Sequence, residues 1–237
     1  MLDSGYQLFI PTATLGDALI ARPLDAGGKH IADCYTAPLI YMSTAEVLGL
    51  PVSMVEIKLE SGQGHNYLRW RNPNRDVSDW DTNGREQCST PTSVPSWQGR
   101  TMSRTEVMGY AKGVRGLPNQ KSGRNIQALI DYRDSKTLYP SVPFAYNNMA
   151  WLLTTRSEFY EPEYVREAIE NATMAMSIER SADALDTLSC AYARAGDFAL
   201  ATSIAKEVIA LTPSNQDFKL RLELFQSTPP RDCVDVN

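Results

Sequence analysis

The chain has 237 residues, with 23 lysines and arginines against 28 aspartates and glutamates, for a formal net charge of −5. An acidic chain without an extended basic stripe lacks the electrostatic footprint of a nucleic-acid binder, and no stretch is long or apolar enough to read as a membrane span. The length suits two domains with ample core.

In chain order, the first clear element is a helix over residues 35–48, opened by Cys34 and closed by Gly49 and Leu50-Pro51. Glycine just past the last turn followed by proline is a helix stop. Pro38 lies four residues after Cys34 and cannot donate a helical hydrogen bond to its carbonyl, so the helix can equally start later, with Thr36 as cap and Pro38 in the first turn. The alternating, β-branched run Val52 to Leu59 predicts a strand. Ser61-Gly62-Gln63-Gly64 predicts a turn, His65 to Trp70 a second strand, Asn72-Pro73-Asn74-Arg75 another turn, and Val77 to Trp80 a short strand ending at Asp81-Thr82-Asn83-Gly84.

Three residues in this stretch carry a possible chemistry: Cys34 as nucleophile, His65 as base and Asp81 as the carboxylate that orients the base. A thiol needs a positioned imidazole, and the imidazole needs a third group to fix its tautomer. A cysteine at a helix N-terminus also meets the positive end of the helix dipole, which favours thiolate. Asp79 competes with Asp81 for the third role, being near the same strand end and on the same face. The plain alternative is a buried core thiol and a satisfied strand histidine.

With its Leu48-Gly49-Leu50-Pro51-Val52 stop, Gly64-His65-Asn66-Tyr67-Leu68-Arg69-Trp70 strand and Trp80-Asp81-Thr82-Asn83-Gly84 turn, the stretch from roughly residue 30 to 90 resembles the transglutaminase-like superfamily, most of all its bacterial members joined to helical repeats. The resemblance implies an α+β fold, a papain-like helix packed with an antiparallel sheet, and the roles Cys34 nucleophile, His65 base and Asp81 orienter. It implies thiolate attack on an amide carbonyl, with water or an amine as second nucleophile, and no metal or cofactor.

Residues 88–99 have loop composition, with Trp97 as a candidate cover for a cleft, and the domain boundary is expected near residue 100, giving domains 1–100 and 101–237. Beyond it, Ala184 to Pro213 resembles a tetratricopeptide repeat, with Leu188, Tyr192, Gly196, Phe198, Ala201 and Pro213 at the signature spacings. Residues 146–153 and 165–178 predict another helical pair, joined by a connection longer than the pattern allows. A weaker copy ends at Pro140, with Gly116, Gly123, Ala128 and Tyr132 in register and Pro118 where a helix should be regular. Gln216 to Phe225 predicts a capping helix. Such arrays commonly take a peptide in a concave groove; the alternative is a purely structural bundle.

Cys34, Cys88, Cys190 and Cys233 are too scattered for a zinc pattern and too few for a disulfide scaffold, so reduced thiols are expected. The Asn171-Ala172-Thr173 sequon falls inside a predicted repeat helix and reads as chance. Without a basic, apolar leader at Met1-Leu2-Asp3-Ser4, the expected location is cytoplasmic, or periplasmic or exported where a leader has been removed. The functional expectation is a cysteine-dependent amide hydrolase or acyltransferase whose repeats dock a protein or peptide. Its alternative is a non-catalytic interaction scaffold built on the repeats.

Overall fold

The structure, a computed structural model, describes residues 6–8, 30–32, 36–58, 64–71, 77–81 and 99–233. The chain divides into two compact units, Met1–Pro118 and Asn119–Asn237.

In the first unit, strands β1 (Tyr6–Leu8) and β2 (His30–Ala32) pair in parallel. Helix α1 (Ala37–Leu48) has Thr36 at its N-cap position and a proline in its first turn, so it starts at the later of the two expected places. Its end is a Schellman turn: Gly49 takes φ 64, its N–H donates to the Glu46 carbonyl, and the Leu50 N–H donates to the Ala45 carbonyl. Strands β3 (Val52–Lys58), β4 (Gly64–Arg71), β5 (Val77–Trp80) and β6 (Arg100–Thr101) form a four-stranded sheet in the order β5-β4-β3-β6. The β3–β4, β3–β6 and β4–β5 pairs are all antiparallel.

Register decides which side chains share a face. Met54 pairs with Leu68 and Leu68 with Trp80, so these three lie on one face, where Tyr41 of α1 meets the Trp80 ring edge-on at 6.4 Å. His65, Tyr67, Arg69 and Asp79 lie on the other. There the chain passes so close at Gly99 that a β-carbon would come within 2.5 Å of the Val55 side chain and 2.8 Å of the Glu56 carbonyl oxygen. Only glycine fits that approach.

The expected α+β transglutaminase-like, papain-like architecture is overturned. Eight α-helices lie among the described residues, which are mostly helical with one small antiparallel sheet. The physical reason is that a glycine-proline helix stop and two strand turns specify only local structure. The same signals serve a short meander of strands as well as a papain-like core.

Helix α2 (Arg104–Lys121) runs through Pro118, whose missing N–H removes one internal bond where the first unit ends. Helices α3 (Asn125–Leu138), α4 (Pro143–Thr155), α5 (Pro162–Ile178), α6 (Ala182–Arg194), α7 (Phe198–Leu211) and α8 (Gln216–Gln226) make up the second unit with the last turn of α2. Caps separate them: Ser181 accepts from the Ala184 N–H, Asp197 from the Leu200 N–H, and Asn215 from the Asp217 and Phe218 N–H groups. Gly123 and Gly196 supply positive φ of 73 and 85 at two of the turns. The over-long connection between α4 and α5 holds a 3-10 turn, Ser157–Phe159, whose Phe159 is buried and meets Tyr164 edge-on at 5.2 Å. It is a plug and not a loose loop.

Each hairpin covers the one before it. Ala150 of α4, Ala172 of α5 and Leu188 of α6 form one core cluster, with Ile204 of α7 packed on it. Leu185, Val208 and Phe218 form the next, joining α6, α7 and α8. The sequence therefore placed these helices correctly, and the reduced-thiol expectation is the one to correct in this unit. Cys190 and Cys233 are joined in a disulfide, because the tail after α8 turns back and brings the two Cα atoms to 5.4 Å.

These interfaces predict the effect of truncation. A fragment of residues 1–180 loses α6 to α8 and uncovers Ala150, Ala172 and the half-buried Trp151; it is expected to melt at least 10 °C below the full chain and to aggregate, since a large buried side chain is worth about 1.5–3 kcal/mol. Thermal unfolding of the two proteins checks this, and equal melting temperatures would contradict a continuous stack.

Candidate functional site

Two polar constellations stand out, one in each unit. In the first, the β4–β5 register pairs Arg69 with Asp79. Continued by one pair past Trp80, the register sets residue 81 opposite Tyr67, so His65 reaches Asp81 on the diagonal of one sheet face. His65 Nε2 lies 2.9 Å from Asp81 Oδ2, with the side chains 15% and 25% exposed. Asp79 is engaged elsewhere: Arg69 Nε and Nη2 donate to its two oxygens at 2.8 and 2.7 Å, and Nη2 also donates to the Tyr67 hydroxyl at 2.9 Å. Arg69 is therefore a pinned residue.

The structure thus brings His65 and Asp81 together. Cys34 lies outside the described residues, as do Cys88 and Trp97. The His65–Asp81 pair sits on the sheet face opposite Tyr41 and α1. An imidazole held through Nε2 acts through Nδ1, the atom a Cys34 nucleophile has to meet.

The second constellation has no counterpart in the sequence reading. In the second unit α4 packs along α6 and α6 along α8, whereas α5 and α7 do not lie against each other in this way. The first helices of successive hairpins, α4, α6 and α8, thus form one layer of the stack. From these helices come Trp151, Asp186 and Arg221. Arg221 Nη1 lies 3.1 Å from Asp186 Oδ2, and the guanidinium stands 5.1 Å from the Trp151 ring centroid and 5.6 Å from that of Phe218. Such cation–ring contacts strengthen when water is excluded. Three buried polar atoms on these helices, Asn147 Oδ1, Thr154 Oγ1 and Arg221 Nε, have no hydrogen-bond partner in the protein. Asn147 precedes Trp151 by one helical turn and shares its face.

Burial pushes the Asp186 carboxyl up to about 7, against the pull of Arg221 and with help from the nearby charges of Asp183 and Asp217. Desolvation outweighs the ion pair here. The signal that could have revealed this cluster is Asp186 itself, a charged residue inside the buried run Ala184 to Cys190. Its partner, thirty-five positions on, leaves no local trace.

Among the described residues no cluster of three His, Cys, Asp or Glu could hold a metal ion, and no described helix is long and apolar enough to cross a membrane. The sequon residue Asn171 is buried in α5, where its Nδ2 donates to the Glu167 carbonyl at 2.6 Å.

No protein-family model and no curated protein matches the chain. Solved structures similar to it include a tetratricopeptide (TPR) domain of Arabidopsis OM64, at 17% identity over 52% of this chain and 97% of that one, with a TM-score of 0.47. Another is the first TPR of Spaghetti (RPAP3) bound to the HSP90 peptide SRMEEVD, at 16% identity over 53% and 96%, with a TM-score of 0.45. A third is the second TPR domain of human RPAP3 in complex with the HSP70 peptide SGPTIEEVD, at 17% identity over 52% and 98%, again with a TM-score of 0.45. All three are TPR domains, and no comparison supports the expected transglutaminase resemblance.

The Asp186 shift has a signed consequence. A carboxyl whose folded pKa of about 7 exceeds its unfolded value of 3.8 keeps its proton longer in the folded state, so its contribution to stability is full below about pH 4 and is lost as pH rises to about 7. Asp186→Asn removes this dependence. Relative to the parent, the variant is expected to gain several degrees in melting temperature between pH 5 and pH 8, on the order of 1–4 kcal/mol. A parent-to-variant difference that stays constant across that range would contradict the assignment.

Proposed function

We propose that the chain is a protein-interaction scaffold whose second unit docks an extended peptide along the layer of α4, α6 and α8. The observation that carries this reading is the unsatisfied polarity of that layer. Asn147 Oδ1 and Arg221 Nε are buried without protein partners beside the half-buried Trp151 ring. Buried polar groups are normally paired, and a peptide backbone offers both the donor that Asn147 lacks and the acceptor that Arg221 lacks. Trp151 adds an apolar surface that a peptide side chain can cover. The stack is short, so the groove takes only a few residues of peptide.

The test is selection from a random linear peptide library on the full chain, followed by calorimetric titration of an enriched peptide. Asn147→Ala and Arg221→Lys are expected to weaken binding at least tenfold while each melts within about 3 °C of the parent, since a lost buried hydrogen bond costs about 1–3 kcal/mol. Failure to enrich any peptide, or equal binding by both variants, would overturn docking on this layer.

The 2.9 Å His65–Asp81 contact supports a second reading for the first unit. In it Cys34 attacks an amide carbonyl, the acyl group passes to sulfur, and the amine leaves with the proton that His65 took from the thiol. Asp81 holds the imidazole, and water or an amine then releases the acyl group. With iodoacetamide at pH 6, Cys34 is expected to alkylate at least tenfold faster than Cys88, and Asp81→Asn to abolish that difference. Asp79→Asn, which breaks the bond to Arg69, should lower the melting temperature and leave the rate alone. Equal rates for Cys34 and Cys88 would remove the catalytic reading.

A further inference from the structure

The residues after α8 do not trail away from the stack. The Arg231 N–H donates to the Leu224 carbonyl at 3.0 Å, Asp232 pairs with Arg194 of α6, and Cys233 is buried against the α6–α7 hairpin. Its sulfur is bonded to that of Cys190, which is fully buried in the same helix as Arg194. The core cluster around the bond contains Ala193, Ala201, Ala205 and Phe225, with Phe198, Leu222 and Leu224 packed on it. The disulfide therefore fastens the tail to α6 beside the packing of α7 and α8, and no further hairpin follows among the described residues.

We propose that Cys190–Cys233 is a redox latch that caps the helical unit. It closes when an oxidised disulfide of the glutathione class takes two electrons from the pair. One thiolate forms a mixed disulfide with half of the carrier, the second displaces that half, and the carrier leaves as two thiols. It opens by the reverse exchange with a thiol reductant, so the closed form belongs to an oxidising environment and the open form to a reducing one. Closure joins residues 43 positions apart, a loop long enough to restrict the unfolded chain substantially. Because Cys190 is inaccessible and Cys233 nearly so, a reductant reaches the bond only after the tail lifts. The Arg194–Asp232 pair holds the tail down and so controls the opening rate.

The full chain is equilibrated with oxidised glutathione, alkylated without reduction, digested and mapped by mass. A linked pair of peptides carrying Cys190 and Cys233 is expected, and its absence would overturn the latch. Reduction should lower the melting temperature of the parent by at least 5 °C, and Cys233→Ser should melt at the reduced value with or without reductant. A parent that melts alike in both conditions would overturn the capping role, whatever the variant does. Asp232→Asn, compared in the oxidised state, should be reduced at least threefold faster by a fixed concentration of dithiothreitol. An unchanged rate would overturn the gating by the tail.

Discussion

The second unit depends on one constraint: no two-helix hairpin in it can bury its own apolar face, so each must be covered by the next. Small residues make the cover close. Ala168, Ala172 and Ala175 of α5, and Ala201 and Ala205 of α7, are all buried at the crossings. A larger residue at any of them would push two helices apart, and overpacking of this kind costs about 1–3 kcal/mol. The larger side chains Leu185, Leu188 and Val208 then fill the space between hairpins. Helix caps set where each helix ends, and so which faces meet.

The last helix described is held in a different way. α8 covers α7 through Phe218 and Phe225. The chain then turns back and ties Cys233 to Cys190 of α6. A covalent tie suits this place because the tail has few apolar atoms of its own to bury. Non-covalent contacts alone would hold it weakly, since desolvation offsets much of the attraction in the half-buried Arg194–Asp232 pair.

Buried polarity in the layer of α4, α6 and α8 works against this economy of packing. Asp186 and Arg221 are nearly inaccessible, and their mutual attraction does not offset the desolvation of the carboxylate, whose proton is retained to about pH 7. An apolar pair would pack as well. The cost is intelligible if the layer serves recognition, because a peptide that leaves buried polar groups unpaired is penalised against one that pairs them. In the first unit the same logic is visible on a smaller scale. Two carboxylates two residues apart are given different partners, Arg69 for Asp79 and His65 for Asp81, by nothing more than strand register.

Local chemistry was legible in the sequence. Periodicity and caps placed the helices after residue 140 and the three strands β3 to β5, and Gly49 with Pro51 placed the end of α1. These follow from interactions within a few residues of each other, which a linear pattern records. The chain order Cys34, His65, Asp81 was legible too, but order does not fix a fold, and the papain-like inference drawn from it failed. What tertiary structure alone decided are the pairings over long distance: Asp186 with Arg221, Cys190 with Cys233, and the packing that puts Trp151 beside both α6 and α8. Each depends on how far one hairpin rotates on the next. That rotation is summed over many small contacts, and no single residue encodes it.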